Sequence, residues 1–311
     1  MTEKYKPEGY IIDSNENKEY LQNLQSMEYA MNTGIILEAP ASLCDSSHNL
    51  LVDLGEYKGI IPRAEAAYSI DGSETRDIAV ITRVGKPVCF KIVSIRKNGT
   101  EPEIILSRRA AQAECYEKYI SLLESGDIID TRITHIEPFG CFCDIGCGII
   151  SLLPVDCISV SRISHPSDRF SSGDRIICVV KQNDRQSGRV SLSHKELLGT
   201  WEQNAARFSS GETAAGIIRS IEPYGIFVEL APNLAGLAEW CDGAEVGHCA
   251  AVYIKSIIPE KMKIKLVIVD SNFPQVSQKK QDYYINKGHI EYWQYSPEGC
   301  EKEIFTDFSH S

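Results

Sequence analysis

Two pairs of aromatic rings stand around a repeated glycine. Residues Ile136-Glu137-Pro138-Phe139-Gly140-Cys141-Phe142 recur as Ile221-Glu222-Pro223-Tyr224-Gly225-Ile226-Phe227, with five of seven positions identical and one ring exchanged for another. Rings carried on a β-surface either fill a core or stack on something flat, and a repeated platform suits a long, repetitive ligand. Phe139 and Phe142 lie three positions apart, so a regular strand would turn them to opposite faces. A bulge at Gly140 is the device expected to bring both to one face, and Tyr224 and Phe227 around Gly225 repeat it.

Positive charge accompanies the rings. Lys261, Lys263 and Lys265 alternate with Met262, Ile264 and Leu266, which predicts a strand with three ammonium groups on one face and three apolar side chains in a core. Arg189 occupies the position of Lys263 when the repeats are aligned, beside Ser191 and Ser193. A ring pair next to a cationic strand is the arrangement expected for single-stranded nucleic acid. Each stacked base contributes roughly 1–3 kcal/mol, and phosphate contacts add a salt-dependent term. The net charge of −11 opposes long-range attraction of a polyanion, so local patches must carry any such contact. Covalent chemistry has less support. There is no phosphate-binding glycine loop, nucleophile elbow or paired metal-ligand motif, the carboxylates are dispersed, and neither enzymatic activity nor a cofactor is expected. The eleven cysteines include no Cys-x-x-Cys pair. Cys141 and Cys143 are expected in a barrel core, and Cys241, His248 and Cys249 lack a fourth metal ligand.

The elements that would position these residues are short. Runs at 34–37, 50–54, 58–62, 87–95 and 103–107 predict five strands, enough for a small closed barrel. The order returns at 130–136, 141–145, 149–153, 175–181 and 189–193, and again at 213–221, 225–230, 236–239, 249–257 and 261–267. Tyr20, Leu24, Met27 and Met31 predict one helix over 16–31 leaning on the first barrel, ended near Gly34. Residues 108–124 and 194–208 predict matching linker helices with similar geometry on either side. The architecture expected is therefore all-β with linker helices, a tandem array of three barrels. Its segments are a helical arm 1–33, a first barrel 34–109, a linker 110–125, a second barrel 126–194, a linker 195–210, a third barrel 211–270 and an aromatic-rich extension 271–311. The extension is expected to dock on the third barrel. A polar N-terminus and the lack of a long apolar run predict a cytoplasmic protein without membrane contact.

The order Ser125-Gly126-Asp127, the Ile136–Phe142 run, Leu152-Leu153-Pro154, His165-Pro166, Gly173-Asp174 and Gly188-Arg189-Val190-Ser191-Leu192-Ser193 resembles the S1 RNA-binding domain family. The second unit matches over nearly its whole length, the third well, the first in outline, and the array resembles the ribosomal protein S1 family. The resemblance implies five-stranded OB-fold barrels that bind single-stranded RNA, such as messenger RNA. It places Phe139, Phe142, Asp184 and Arg189 in the binding positions of the second unit, and Tyr224, Phe227 and Lys263 in those of the third. Departures are evident. Pro62, Pro154 and Glu239 stand where many members have a histidine, Thr131 replaces the glycine kept as Gly216, Ile258 falls at the place of Asp184, and the third unit lacks eleven residues between its third and fourth strands. In the first unit Leu51 replaces Phe142 and Glu103 replaces Arg189, so that barrel is expected to serve attachment, by resemblance to the small ribosomal subunit. The alternative is a protein-interaction scaffold with vestigial RNA binding.

Overall fold

Alternation of buried and exposed residues closes three successive sheets on themselves. The computed structural model describes residues 4–273 and 282–309 apart from 71, 74 and 98–100. The first barrel is built from β1 (Leu37–Cys44), β2 (Leu50–Asp53), β3 (Lys58–Ile61), β4 (Pro87–Arg96) and β5 (Glu103–Ser107). The second comprises β6 (Ile128–Glu137), β7 (Gly140–Asp144), β8 (Ile150–Pro154), β9 (Arg175–Asp184) and β10 (Arg189–Ser193). The third comprises β11 (Thr213–Glu222), β12 (Gly225–Ala231), β13 (Leu234–Ala238), β14 (Cys249–Ile258) and β15 (Lys263–Phe273). Each is closed, with a parallel contact between its third and fifth strands, and each is of the OB type. Closure leaves few unpaired strand edges, which small β-domains must otherwise protect.

Three expected elements differ. The first strand begins where the run 34–37 ends, because Gly34 is the left-handed cap of the preceding helix and Pro40 obscures the alternation of β1. The single helix expected over 16–31 is two, α1 (Asn15–Leu21) and α2 (Leu24–Thr33). Asn23 and Ser26 form a reciprocal capping box that starts the second inside the periodic run. Met27 and Ala30 nevertheless pack into the first barrel's core. After a five-residue helix α3 (Asp77–Ile81) within that barrel, the first linker is α4 (Arg108–Lys118) with a 3-10 turn at Ile120–Leu122. The second linker is a 3-10 turn (Lys195–Leu198) and a short helix α5 (Trp201–Ala205), separated by Gly199 in a positive-φ conformation. The two linkers therefore do not share one geometry.

The arm is wedged between barrels one and two. The Glu8 carboxylate accepts from Cys89 N at 3.0 Å and pairs with Arg108 at 2.7 Å, while its own amide donates to Asp144 at 2.7 Å. Glu38 accepts from the amides of Gly9, Ile11 and Ile12. Burial, with Glu8 close by, pushes the Asp144 carboxyl up to about 7 and Glu38 up to about 8. Against its own burial, Arg108 and Arg83 hold Glu8 below the ordinary carboxylate range.

Barrels two and three meet through the loop 155–174, the connection that is longer in the second unit. Arg169 from this loop pairs with Glu229 of β12 at 2.5 Å, and Arg219 of β11 pairs with the same carboxylate at 2.9 Å and with Asp168 at 3.5 Å. Asn233, fully buried in the β12–β13 turn, accepts from Val160 N and donates to the carbonyls of Lys195 and Gly199. The C-terminal extension docks on the third barrel, as expected, and also reaches the second, so that it clamps this junction. Its strands β16 (Tyr292–Gln294) and β17 (Phe305–Asp307) bring Trp293, Tyr295 and Phe308 into the third barrel's core cluster beside Leu197 and Trp201 of the linker. On the other side Ile128 N donates to Gly288 O, and Ile290 N donates to Gly126 O at the start of the second barrel.

Candidate nucleic-acid interface

The ring pairs owe their position to a two-residue hairpin turn. Glu137 pairs with Gly140 across β6 and β7, so Pro138 and Phe139 form the turn itself and Phe142 lies on the strand beyond it. Both rings thus reach one face without a bulge at Gly140. Glycine is needed there because a Cβ would run into the Leu153 carbonyl oxygen of β8; at Gly225 the Ala238 oxygen does the same at 2.5 Å. The expected bulge is instead on the neighbouring strand, between Ile133 and His135 in the second barrel and between Ile218 and Ser220 in the third.

The two pairs have nearly the same geometry. Phe139 and Phe142 meet edge to face with centroids 6.0 Å apart at 89°, and Tyr224 and Phe227 do so at 6.1 Å and 87°. Phe139 is 55% and Tyr224 68% exposed, so neither outer ring contributes to a core. In the second barrel, strand register joins His135, Phe142, Leu152, Ser191 and Gln182 into one row across the sheet. The corresponding row of the third barrel is Ser220, Phe227, Leu237, Lys265 and Ser256. One row further along, Arg189 pairs with Asp184 and Lys263 with Ile258, the equivalence expected from aligning the repeats. Lys263 and Lys265 are exposed on one face of β15.

Lys261 does not share that face. It ends a 3-10 turn (Pro259–Lys261), and Met262 adopts a left-handed conformation before β15 begins, so the alternation expected from Lys261 is broken by the hairpin. Asp184 is exposed and caps its own turn: it accepts from Gln186 N at 3.0 Å and from Ser187 Oγ at 2.5 Å, bonds that lower its pKa. Gly188 in this turn lies against Ile70 and Tyr116, so the basic end of the second barrel's face is flanked by the first barrel and its linker.

His135 escaped the sequence reading. Strict alternation after Ile133 turns it inward, but the bulge turns it out, where its ring stacks on Phe142 at 6.4 Å and 24° and its Nε2 lies 2.7 Å from Glu137. The first barrel has aliphatic residues in the same row: Leu43, Leu51, Ile60 and Ile105, ending at Ser94. Glu103, at the place of Arg189, pairs with Arg96 at 3.6 Å. Thr131, buried at the place of Gly216, donates its hydroxyl to Ile176 O. All eleven cysteines are free thiols, and Cys141 and Cys143 lie in the second barrel's core. Among the described residues there is no group of three potential metal ligands, and no helix long and apolar enough to cross a membrane.

Three OB-type barrels in tandem, two of them with ring pairs in a sheet whose fifth strand opens on a cation, define a class of OB-fold β-barrel arrays. Residues 122–195, which hold the second barrel, match the S1 RNA binding domain. The chain is similar to small ribosomal subunit protein bS1 homologs from Bacillus subtilis (28% identity over 230 residues) and Bacillus cereus (28% over 261). These alignments cover 72% and 80% of this chain but 56% and 64% of the relatives, so the chain spans somewhat over half the length of each. A crystal structure of a multidomain protein with nucleic acid binding domains from Streptococcus pneumoniae covers 78% of this chain and 76% of that one, at 12% identity and a TM-score of 0.24; so remote a likeness carries no argument.

Proposed function

We propose that the chain is a non-enzymatic single-stranded RNA-binding protein acting in translation, in which barrels two and three bind RNA and barrel one serves attachment to the small ribosomal subunit. The observation that carries this reading is the duplicated platform: two edge-to-face ring pairs at equivalent register, each in a barrel whose fifth strand opens on a cation, Arg189 or Lys263. Core packing does not require such a duplicate, because the outer ring of each pair is mostly in solvent. In this reading bases stack on Phe139 and Phe142, with His135 extending the surface, and on Tyr224 and Phe227. Arg189, Lys263 and Lys265 neutralise phosphates, and Asp184 holds the turn that presents Arg189.

The test is titration of a fluorescent single-stranded RNA of about a dozen nucleotides. Affinity falls with salt at a log–log slope of about −0.7 per phosphate contacted. The double variant Phe142→Ala, Phe227→Ala binds at least tenfold more weakly, and unchanged affinity refutes the platform. One observation favours a protein-interaction scaffold: the aliphatic row of barrel one, where Leu43 is exposed and rings are absent. Capture of partners before and after nuclease treatment separates the readings, since a scaffold keeps its partners when RNA is removed.

A further inference from the structure

The tryptophans divide sharply. Trp201 and Trp293 are buried at 2% and 5% exposure, whereas Trp240 is 61% exposed. It follows β13 by two residues, and strand register gives its place. The β12–β13 ladder runs through Phe227↔Leu237 and ends at Ile226↔Ala238; continued for two further antiparallel steps, it would set position 240 opposite Tyr224. The second barrel realises those same steps. There Gly140 pairs with Pro154, and Val155 N then donates to Phe139 O at 2.9 Å, so the residue equivalent to Trp240 lies opposite the residue that carries the outer ring.

What differs is the cover. In the second barrel the residue at this position is the aliphatic Val155, which opens a 3-10 turn and the long loop that packs onto barrel three. The third barrel's connection is eleven residues shorter, and its indole is left in solvent two residues past the end of β13. Lys265 lies in the row of Phe227, and Lys255 pairs with Glu239, the residue before Trp240, at 3.5 Å.

We propose that Trp240 is a third base-stacking position of the third barrel, so that a single strand of RNA crosses it over Phe227, Tyr224 and Trp240 in turn. The assignment rests on the RNA-binding reading above and extends its site from β12 to the end of β13. It takes a nucleobase without regard to its edge, because every base has a face to stack.

The full chain supplies its own reporter, since Trp240 is the tryptophan in solvent. Titration with oligouridine at fixed salt quenches the intrinsic fluorescence of the wild type. Trp240→Ala weakens binding about five- to hundredfold, the span expected for one stacked base. Trp240→Phe stays within about threefold of the wild type, and Trp240→Leu, apolar but without a ring face, is as weak as the alanine variant. The salt slope is the same in all four, because no phosphate contact is lost. The proposal is overturned if Trp240→Ala binds like the wild type while Phe142→Ala, Phe227→Ala does not, or if the leucine variant matches the phenylalanine one, as apolar packing would give. A wild type that binds no RNA overturns the assignment together with the reading beneath it.

Discussion

Removal of the Glu229 carboxylate should uncouple barrels two and three. Glu229 accepts from Arg169 at 2.5 Å and from Arg219 at 2.9 and 3.3 Å, and the three side chains are 4–8% exposed. Two guanidinium groups thus share one buried anion, with Asp168 at 3.5 Å from Arg219 as further compensation. At an effective dielectric constant of about 20, one charge pair at ~4 Å is worth about 4 kcal/mol before desolvation. Glu229→Gln keeps the volume and removes the charge, leaving two like charges facing each other; breaking a buried pair in this way destabilises by about 3–5 kcal/mol. The Arg169 fork is already one partner short at its buried Nε, so it has little capacity to re-pair. Urea unfolding measures the loss, and small-angle scattering reports whether the barrels move apart. RNA supplies a third readout. An oligonucleotide that fits one barrel binds the variant as it binds the wild type, while one spanning both loses the advantage of linked sites. The companion triple variant Arg169→Met, Arg219→Met, Glu229→Leu should be within about 1 kcal/mol of the wild type or above it, since no fully buried charge is stranded and Asp168, which loses Arg219, keeps access to solvent. A loss below about 1 kcal/mol for Glu229→Gln, with scattering unchanged, would show that the cluster does not hold the junction.

Other consequences can be checked on the same material. Gly140→Ala drives a Cβ into the Leu153 carbonyl and should destabilise the chain by about 1–3 kcal/mol, as overpacking does, while weakening RNA binding more than Phe139→Ala; thermal melts and titrations decide it. The Lys263→Gln, Lys265→Gln pair should reduce the salt slope of RNA binding by about 1.4, and Lys261→Gln, off the strand, should leave it nearly unchanged. His194 is fully buried between Ile158 O at 3.0 Å and the Tyr283 hydroxyl at 3.2 Å, and burial lowers its pKa to about 4. The unfolded chain, with a histidine pKa of about 6.5, binds the proton that the folded chain refuses, so this group's contribution is lost as pH falls from about 6.5 to 4. That amounts to about 2 kcal/mol at pH 5. Urea unfolding of His194→Gln at pH 5 and 7 should show the loss diminished. Asp144 and Glu38, raised to about 7 and 8, act in the opposite sense: their contributions fall as pH rises from about 4 through those values.

The barrels were legible because their signals are local. A strand such as β5 or β10 declares itself by five alternating residues and a flanking turn, and the sequence placed both within their observed bounds. β1 was misplaced because proline and small residues hide its period, and the arm was read as one helix because periodicity continues across the Asn23–Ser26 cap. In the site, the ring positions were visible but the cause of their shared face was not. A tight turn and a bulge both reconcile two rings three residues apart, and only the pairing of Glu137 with Gly140 chooses the turn. Lys261 joined the lysine strand on alternation alone, which carries no record of where a hairpin stops.

Residue order was enough to establish tandem duplication, the number of barrels, the equivalence of Arg189 with Lys263, and the loss of rings from the first copy. Each of these is read from short local patterns and from their recurrence along the chain. The tertiary structure alone decided the relations between distant segments. The arm is wedged between the first two barrels through Glu8, the eleven additional residues of the second barrel became the contact with the third, and the extension straps the junction. It also decided that His135 faces solvent beside Phe142 and that Trp240 is exposed, because a bulge and a shortened loop change which way a side chain points without leaving a periodic trace.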